Sequence, residues 1–93
     1  MPNVLTSDEV AQMLPNEWLY DSTKKEVSKE FKKGNFMQAI GFINEIADHA
    51  EQLDHHPDIF LHGYNKVLIT LSTHSEGGVT VNDINLAKII DRI

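Results

Sequence analysis

Between Phe36 and Leu53 the apolar residues Phe36, Ala39, Ile40, Ile43, Ile46, Ala47, Ala50 and Leu53 recur at the spacing of one helix face. A long helix with a single apolar stripe needs a surface to cover, so the rest of the chain must supply one. Asn35 is a good N-cap for it, with Gln38 at N3 to complete a weaker capping box. Glu45, Asp48 and Gln52 fall on the opposite side. Phe42 widens the stripe and is read as covering the edge of the core, whereas Met37 falls well outside it. Part of this surface could instead meet another subunit.

The flanking segments supply a sheet. A short first helix is marked by Thr6 and Glu9 at capping-box spacing and by Leu5 and Val10 as a hydrophobic staple. Val10, Met13 and Leu14 share one face, and Pro15 stops the helix. Trp18 to Tyr20 suits a short strand. Val27 and Phe31 then lie on one side of a second strand, whose lysines and glutamates predict one wet face. After Pro57, Ile59 to Tyr64 reads as a strand, and Val67, Ile69 and Leu71 alternate with Leu68, Thr70 and Ser72 in another. A turn over residues 63–66 would join these two as a hairpin. Gly77-Gly78 breaks the chain before a last helix with Thr80 as N-cap and Asp83 at N3. The order α-β-β-α-β-β-α predicts an α+β fold. It is a single domain over residues 1–93, a four-stranded antiparallel sheet with helices packed on one face.

Composition narrows the function classes. The chain has 93 residues, a size at which oligomerising often adds stability. It has no cysteine, which removes disulfides and thiolate metal sites. A net charge of −6 argues against direct binding of nucleic acid. No apolar run approaches the ~18 residues of a membrane span, and no signal-peptide pattern opens the chain. A soluble, cytoplasmic protein is the expectation.

Five histidines stand out in so short a chain. His55 and His56 follow the long helix directly, and His74 follows the second strand of the hairpin. The two ends of an antiparallel hairpin meet in space, so three imidazoles distant in sequence would converge. Imidazole titrates near neutrality and can act as acid or base. Adjacent His55 and His56 cannot both charge cheaply, which favours an acid beside a base. His49 and His62 carry no such argument and are read as ordinary polar residues. A metal site is the sharper rival, but cysteines are absent, no His pair stands at i, i+4 on a helix, and adjacent histidines tend to point apart. A nucleophilic hydrolase is weaker still, since Ser72 and Ser75 beside His74 lack a nucleophile-elbow context.

The ordered set Glu51-Gln-Leu-Asp-His55-His56-Pro57, Tyr64-Asn65-Lys66-Val67, Leu71-Ser72-Thr73-His74 and Asp83-Ile-Asn-Leu-Ala resembles the signature of pterin-4a-carbinolamine dehydratases. Spacing fits throughout: three residues separate Glu51 from His55, six Pro57 from Tyr64, nine Tyr64 from His74, and eight His74 from Asp83. The resemblance extends more loosely over nearly the whole chain. It implies a hydro-lyase that eliminates water from 4a-hydroxytetrahydrobiopterin to give quinonoid dihydrobiopterin, with no metal and no cofactor, in tetrahydrobiopterin recycling. It implies that His55 and His74 protonate the departing 4a-hydroxyl and that His56 holds the pterin and accepts a proton. Pro57 and the segment Thr73, His74, Ser75 and Glu76 match pterin-contacting stretches. Glu51 and Asp83 match acidic positions and would orient imidazoles. Tyr64 is read as strand packing rather than catalysis. One departure stands out: many relatives carry tryptophan two residues after the proline, where this chain has Ile59.

The same resemblance implies a homodimer or homotetramer and, as the alternative function, an interaction module. Animal relatives bind a transcription factor through the long helix, which would add the nucleus to the cytoplasm as a location. Here Met37 and Phe42 would mark that outer surface.

Overall fold

A computed structural model describes residues 3–93 of the chain. Helix α1 spans Ser7–Met13, strands β1 and β2 span Leu19–Asp21 and Glu26–Lys32, and helix α2 spans Phe36–Leu53. Strands β3 and β4 follow at Asp58–His62 and Lys66–Leu71, then one turn of 3-10 helix at His74–Glu76, and helix α3 at Val81–Asp91. The element order matches the sequence reading, with the 3-10 turn added.

The strands form one antiparallel sheet in the order β1-β2-β4-β3. Strand β4 therefore lies between β2 and β3, and its period-two pattern sorts its side chains. Val67, Ile69 and Leu71 are fully buried, while Lys66, Leu68 and Thr70 turn to the other face. Val67 stands opposite Phe31 and Leu61, and Leu71 opposite Val27, so the inward face is apolar across three strands. All three helices cover that face: Val10 from α1, Ala39, Phe42 and Ile46 from α2, and Ile84, Leu86, Ala87 and Ile90 from α3 join one core. Each large aliphatic side chain buried this way stabilises the fold by ~1.5–3 kcal/mol before entropy is counted. The opposite face carries Glu30, Lys32, Lys66 and His62 and, among the described residues, no helix, the wet side expected of an antiparallel sheet.

Two expectations are corrected. The line that α2 buries is rotated from the predicted stripe: Phe42 is only 4% exposed, whereas Phe36, Ala47 and Leu53 lie outside the core. A phenylalanine at the stripe's edge outcompetes an alanine because it removes far more apolar area from water. The outward surface of α2 thus includes Met37 but not Phe42. Tyr64 is neither in a strand nor packed. Lys66 pairs with His62, leaving a three-residue loop in which Gly63 and Tyr64 both take left-handed backbone angles, and Tyr64 is 64% exposed. The residue that anchors this turn is Asn65. It is buried, donates its side-chain amide to the Lys33 carbonyl at 3.0 Å, and accepts the Lys33 N–H at 2.8 Å.

Polar ties hold the far end of α3. Asp91 accepts from the buried Trp18 indole at 3.1 Å and from Lys29 at 2.9 Å, although Lys29 sits on the inward face of β2. A charge on that face is tolerable because its partner lies within reach. This tie fixes the C-terminal end of α3 to β2 and to the residue before β1.

Candidate active site

The hairpin register brings the predicted stretches to one end of the sheet. Asp58 pairs with Thr70, so the chain entering β3 and the chain leaving β4 lie side by side. Entry to β3 is fixed by how α2 ends. Asp54 takes a left-handed conformation (φ 51°, ψ 44°), its N–H meets the Glu51 carbonyl, and the His55 N–H meets the Ala50 carbonyl at 3.0 Å. That is a Schellman ending with an aspartate where glycine is usual. It holds the His55 backbone firmly against the helix end.

The exit from β4 is fixed by a second device. The Thr73 N–H bonds the Gly78 carbonyl at 2.9 Å, pinching off the 3-10 turn, and Gly77 closes it at φ 80°. Val79 and Thr80 then lead into α3, whose capping box is complete: the Thr80 side chain meets the Asp83 N–H, and the Asp83 carboxylate meets the Thr80 N–H at 2.9 Å.

These devices converge on Asp83, which is fully buried. Its Oδ1 lies 2.5 Å from His55 Nε2, and its Oδ2 accepts from the Thr73 hydroxyl at 2.8 Å as well as from the Thr80 N–H. The hydroxyls of Thr73 and Thr80 are 2.8 Å apart. Thr73 has one hydroxyl hydrogen, and Asp83 takes it, so Thr80 must be the donor of that bond. The result is a directed chain from Thr80 to Thr73 to Asp83, with His55 Nε2–H donating to the carboxylate from the other side. No buried side-chain polar atom among the described residues lacks a partner. With Nε2 held, Nδ1 is the His55 nitrogen left for a ligand.

His55, Thr73 and Thr80 also line a cavity of about 300 Å³, together with Asn3, Asp54, Ser75, Glu76, Val81 and Asn82. That volume is at the lower edge of small-molecule sites. A smaller recess of about 60 Å³ opens between Leu53, His55, Asn82 and Asn85. Of the residues singled out in the sequence, His55, Thr73, Ser75 and Glu76 form the cavity wall and Asp83 supports it.

The others stand apart from that wall. His56 is exposed and pairs with Glu51, Nε2 to Oε2 at 2.5 Å. Pro57 is half-buried, and His74 is exposed at the start of the 3-10 turn; neither lines the cavity. Adjacent residues entering a strand point to opposite sides, which separates His56 from His55. The residues missed in the sequence are Asn3, Asp54, Thr80, Val81 and Asn82. Of these, Thr80 carried a signal as an N-cap, and Asp54 lies inside the quoted stretch from Glu51 to Pro57.

The remaining candidates take other places. His62 lies on the outer face of the sheet, 2.6 Å from Glu30 and stacked on Phe60 at 4.8 Å. Ser72 donates its hydroxyl to the Lys25 carbonyl at 2.8 Å. Among the described residues no group of three or more His, Asp or Glu side chains is placed to hold a metal ion, and no helix is long and apolar enough to cross a membrane.

The arrangement resembles known proteins in sequence and in shape. A family profile described as pterin 4 alpha carbinolamine dehydratase matches residues 3–93. A protein of Prochlorococcus marinus assigned by name to the pterin-4-alpha-carbinolamine dehydratases is 49% identical over 76 residues, covering 82% of this chain and 77% of its own. Another so assigned, from a Picosynechococcus species, is 38% identical over 93 residues and is covered in full, as is this chain. The crystal structure of a transcriptional coactivator/pterin dehydratase from Brucella melitensis superimposes with a TM-score of 0.89 at 39% identity, covering 97% of each chain.

Proposed function

The chain belongs to the pterin 4 alpha carbinolamine dehydratase family, and from that premise we propose that it eliminates water from 4a-hydroxytetrahydrobiopterin by histidine acid–base catalysis. The observation that carries this reading is the His55–Asp83 pair set in the wall of the cavity. A buried carboxylate bonded to Nε2 fixes the imidazole's orientation, as the acid does in a catalytic triad. Nδ1–H is then the donor that faces the leaving group.

In the proposed step, the lone pair of the pterin N5 forms a double bond to carbon 4a as the C4a–O bond breaks. The departing hydroxyl takes a proton from His55 and leaves as water. A proton is lost from the ring nitrogens to a base, leaving the quinonoid dihydropterin. The family resemblance gives that base to His56, whose Nε2 is held by Glu51, and a second acid role to His74. Positioned acids and bases of this kind typically contribute ~10²–10⁴-fold. The test is dehydration of 4a-hydroxytetrahydropterin in chelator-treated buffer by the natural protein, His55→Ala and His74→Ala. Full activity in both variants removes histidine acid catalysis.

A second reading is favoured by the outer surface of α2, where Phe36, Met37 and Leu53 are exposed. Such a surface suits a helical protein partner or a second copy of the chain. The Brucella protein's description as a coactivator supports the same reading. Binding of a helical partner that survives His55→Ala and is lost in Met37→Glu would establish it independently of catalysis.

A further inference from the structure

The cavity wall carries a charge pattern that acid–base catalysis does not need. Asp83 is occupied by His55, Thr73 and Thr80, so the open polar surface belongs to Asn3, Asp54, Ser75, Glu76 and Asn82. Two of these are carboxylates, and among the described residues the lining includes no lysine or arginine. Among the described residues, neither Asp54 nor Glu76 makes a salt bridge or a side-chain hydrogen bond. Among the described residues, both are open to accept.

Their backbones are held in place. Asp54 is fixed by the left-handed end of α2, and Glu76 by the pinch between Thr73 and Gly78. Asn3 is carried by an N-terminal strap: the Leu5 N–H bonds the Val79 carbonyl at 2.8 Å, and Val4 packs on Gly78 so closely that a Cβ there would meet Val4 Cγ1 at 2.8 Å. A wall of fixed acceptors and amides suits a ligand rich in hydroxyl donors. The same wall repels an anion, and the chain's net charge of −6 adds to that repulsion at longer range.

Resting on the pterin reading above, we infer that this acidic rim selects pterins by the charge of the substituent they carry. It accepts a neutral polyhydroxylated chain, whose O–H groups donate to Asp54 and Glu76, and rejects one bearing phosphate or carboxylate. A phosphate monoester brings about −1.5 to −2 charges toward two carboxylates. Because the rim is wet, salt screens the repulsion.

The experiment compares two stable probes by fluorescence titration: 7,8-dihydroneopterin and its 3′-monophosphate, which share ring and carbon chain. At low salt the neutral probe is expected to bind about tenfold tighter or more. The gap should shrink severalfold on going from about 20 mM to about 0.5 M salt. In the double variant Asp54→Asn, Glu76→Gln it should narrow through a gain for the phosphorylated probe. Asparagine tolerates the left-handed backbone that Asp54 adopts. Equal binding of the two probes overturns the inference. So does a gap that persists undiminished in both the variant and high salt, since the chain's size and not its charge would then be read. If neither probe binds the natural protein, the pterin reading itself fails.

Discussion

Asp83 and His55, 28 residues apart, meet through a 2.5 Å contact in which one carboxylate oxygen serves the imidazole while the other completes the capping box of α3. The helix cap and the candidate acid are therefore one structure. Asp83→Asn tests it, since the amide oxygen can still accept but the charge is gone. Turnover should fall by ~10²-fold or more with little change in KM, and stability by ~1–3 kcal/mol from the disturbed buried network. Steady-state kinetics and thermal melts read the two effects separately. An unchanged turnover rate would show that the carboxylate serves only the helix.

Thr73→Val removes the middle of the hydroxyl chain. Asp83 Oδ2 loses one donor, and the Thr80 hydroxyl loses its acceptor within a buried cluster. The expected cost is ~1–3 kcal/mol of stability. Thr73→Ser restores the hydroxyl and should recover most of the loss. Denaturant melts that fail to distinguish serine from valine would contradict the chain as drawn.

Removing His56 should do less harm to the cavity than removing His55. His55 has a side chain only 12% exposed and is held by a buried partner, whereas His56 and Glu51 lie in solvent. His56→Ala should leave stability within about 0.5 kcal/mol of the natural protein. Its turnover decides whether the exposed imidazole acts on substrate at all, and normal turnover would confine the chemistry to the cavity wall.

Gly78→Ala probes the strap. The added methyl would stand 2.8 Å from Val4 Cγ1, too close to keep, and Gly78 is buried. The half-exposed Val4 side chain should turn away and loosen the strap, with a loss of about 1 kcal/mol. A double-mutant cycle with Val4→Ala should recover part of it, because the opposing methyls are gone. Strict additivity of the two changes would place the clash elsewhere.

Much of this architecture was legible in the sequence because it rests on local rules. Thr6 with Glu9, Asn35, and Thr80 with Asp83 all cap the helices they were read to cap. The alternation of Val67, Ile69 and Leu71 located the central strand. The rotation of α2 was not legible, since choosing between Phe42 and Ala47 depends on the shape of the opposing sheet. The cavity wall was hidden for a similar reason. Asp54 shares the cavity wall with His55 through a left-handed helix end, and Asn3 reaches it through a terminal strap; neither device leaves a periodic trace. Tyr64 misled because an aromatic beside a strand looks like core until the turn's handedness is known.

Fraying is ordinarily harmless at the end of a helix. Here the first turn of α3 cannot open without freeing Thr80, Asp83 and, through them, His55. Local melting at one helix start would thus release the candidate acid while most of the sheet stayed intact. Heating should abolish turnover before far-ultraviolet circular dichroism changes, and amide exchange at Thr80 and Asp83 should follow the same early transition.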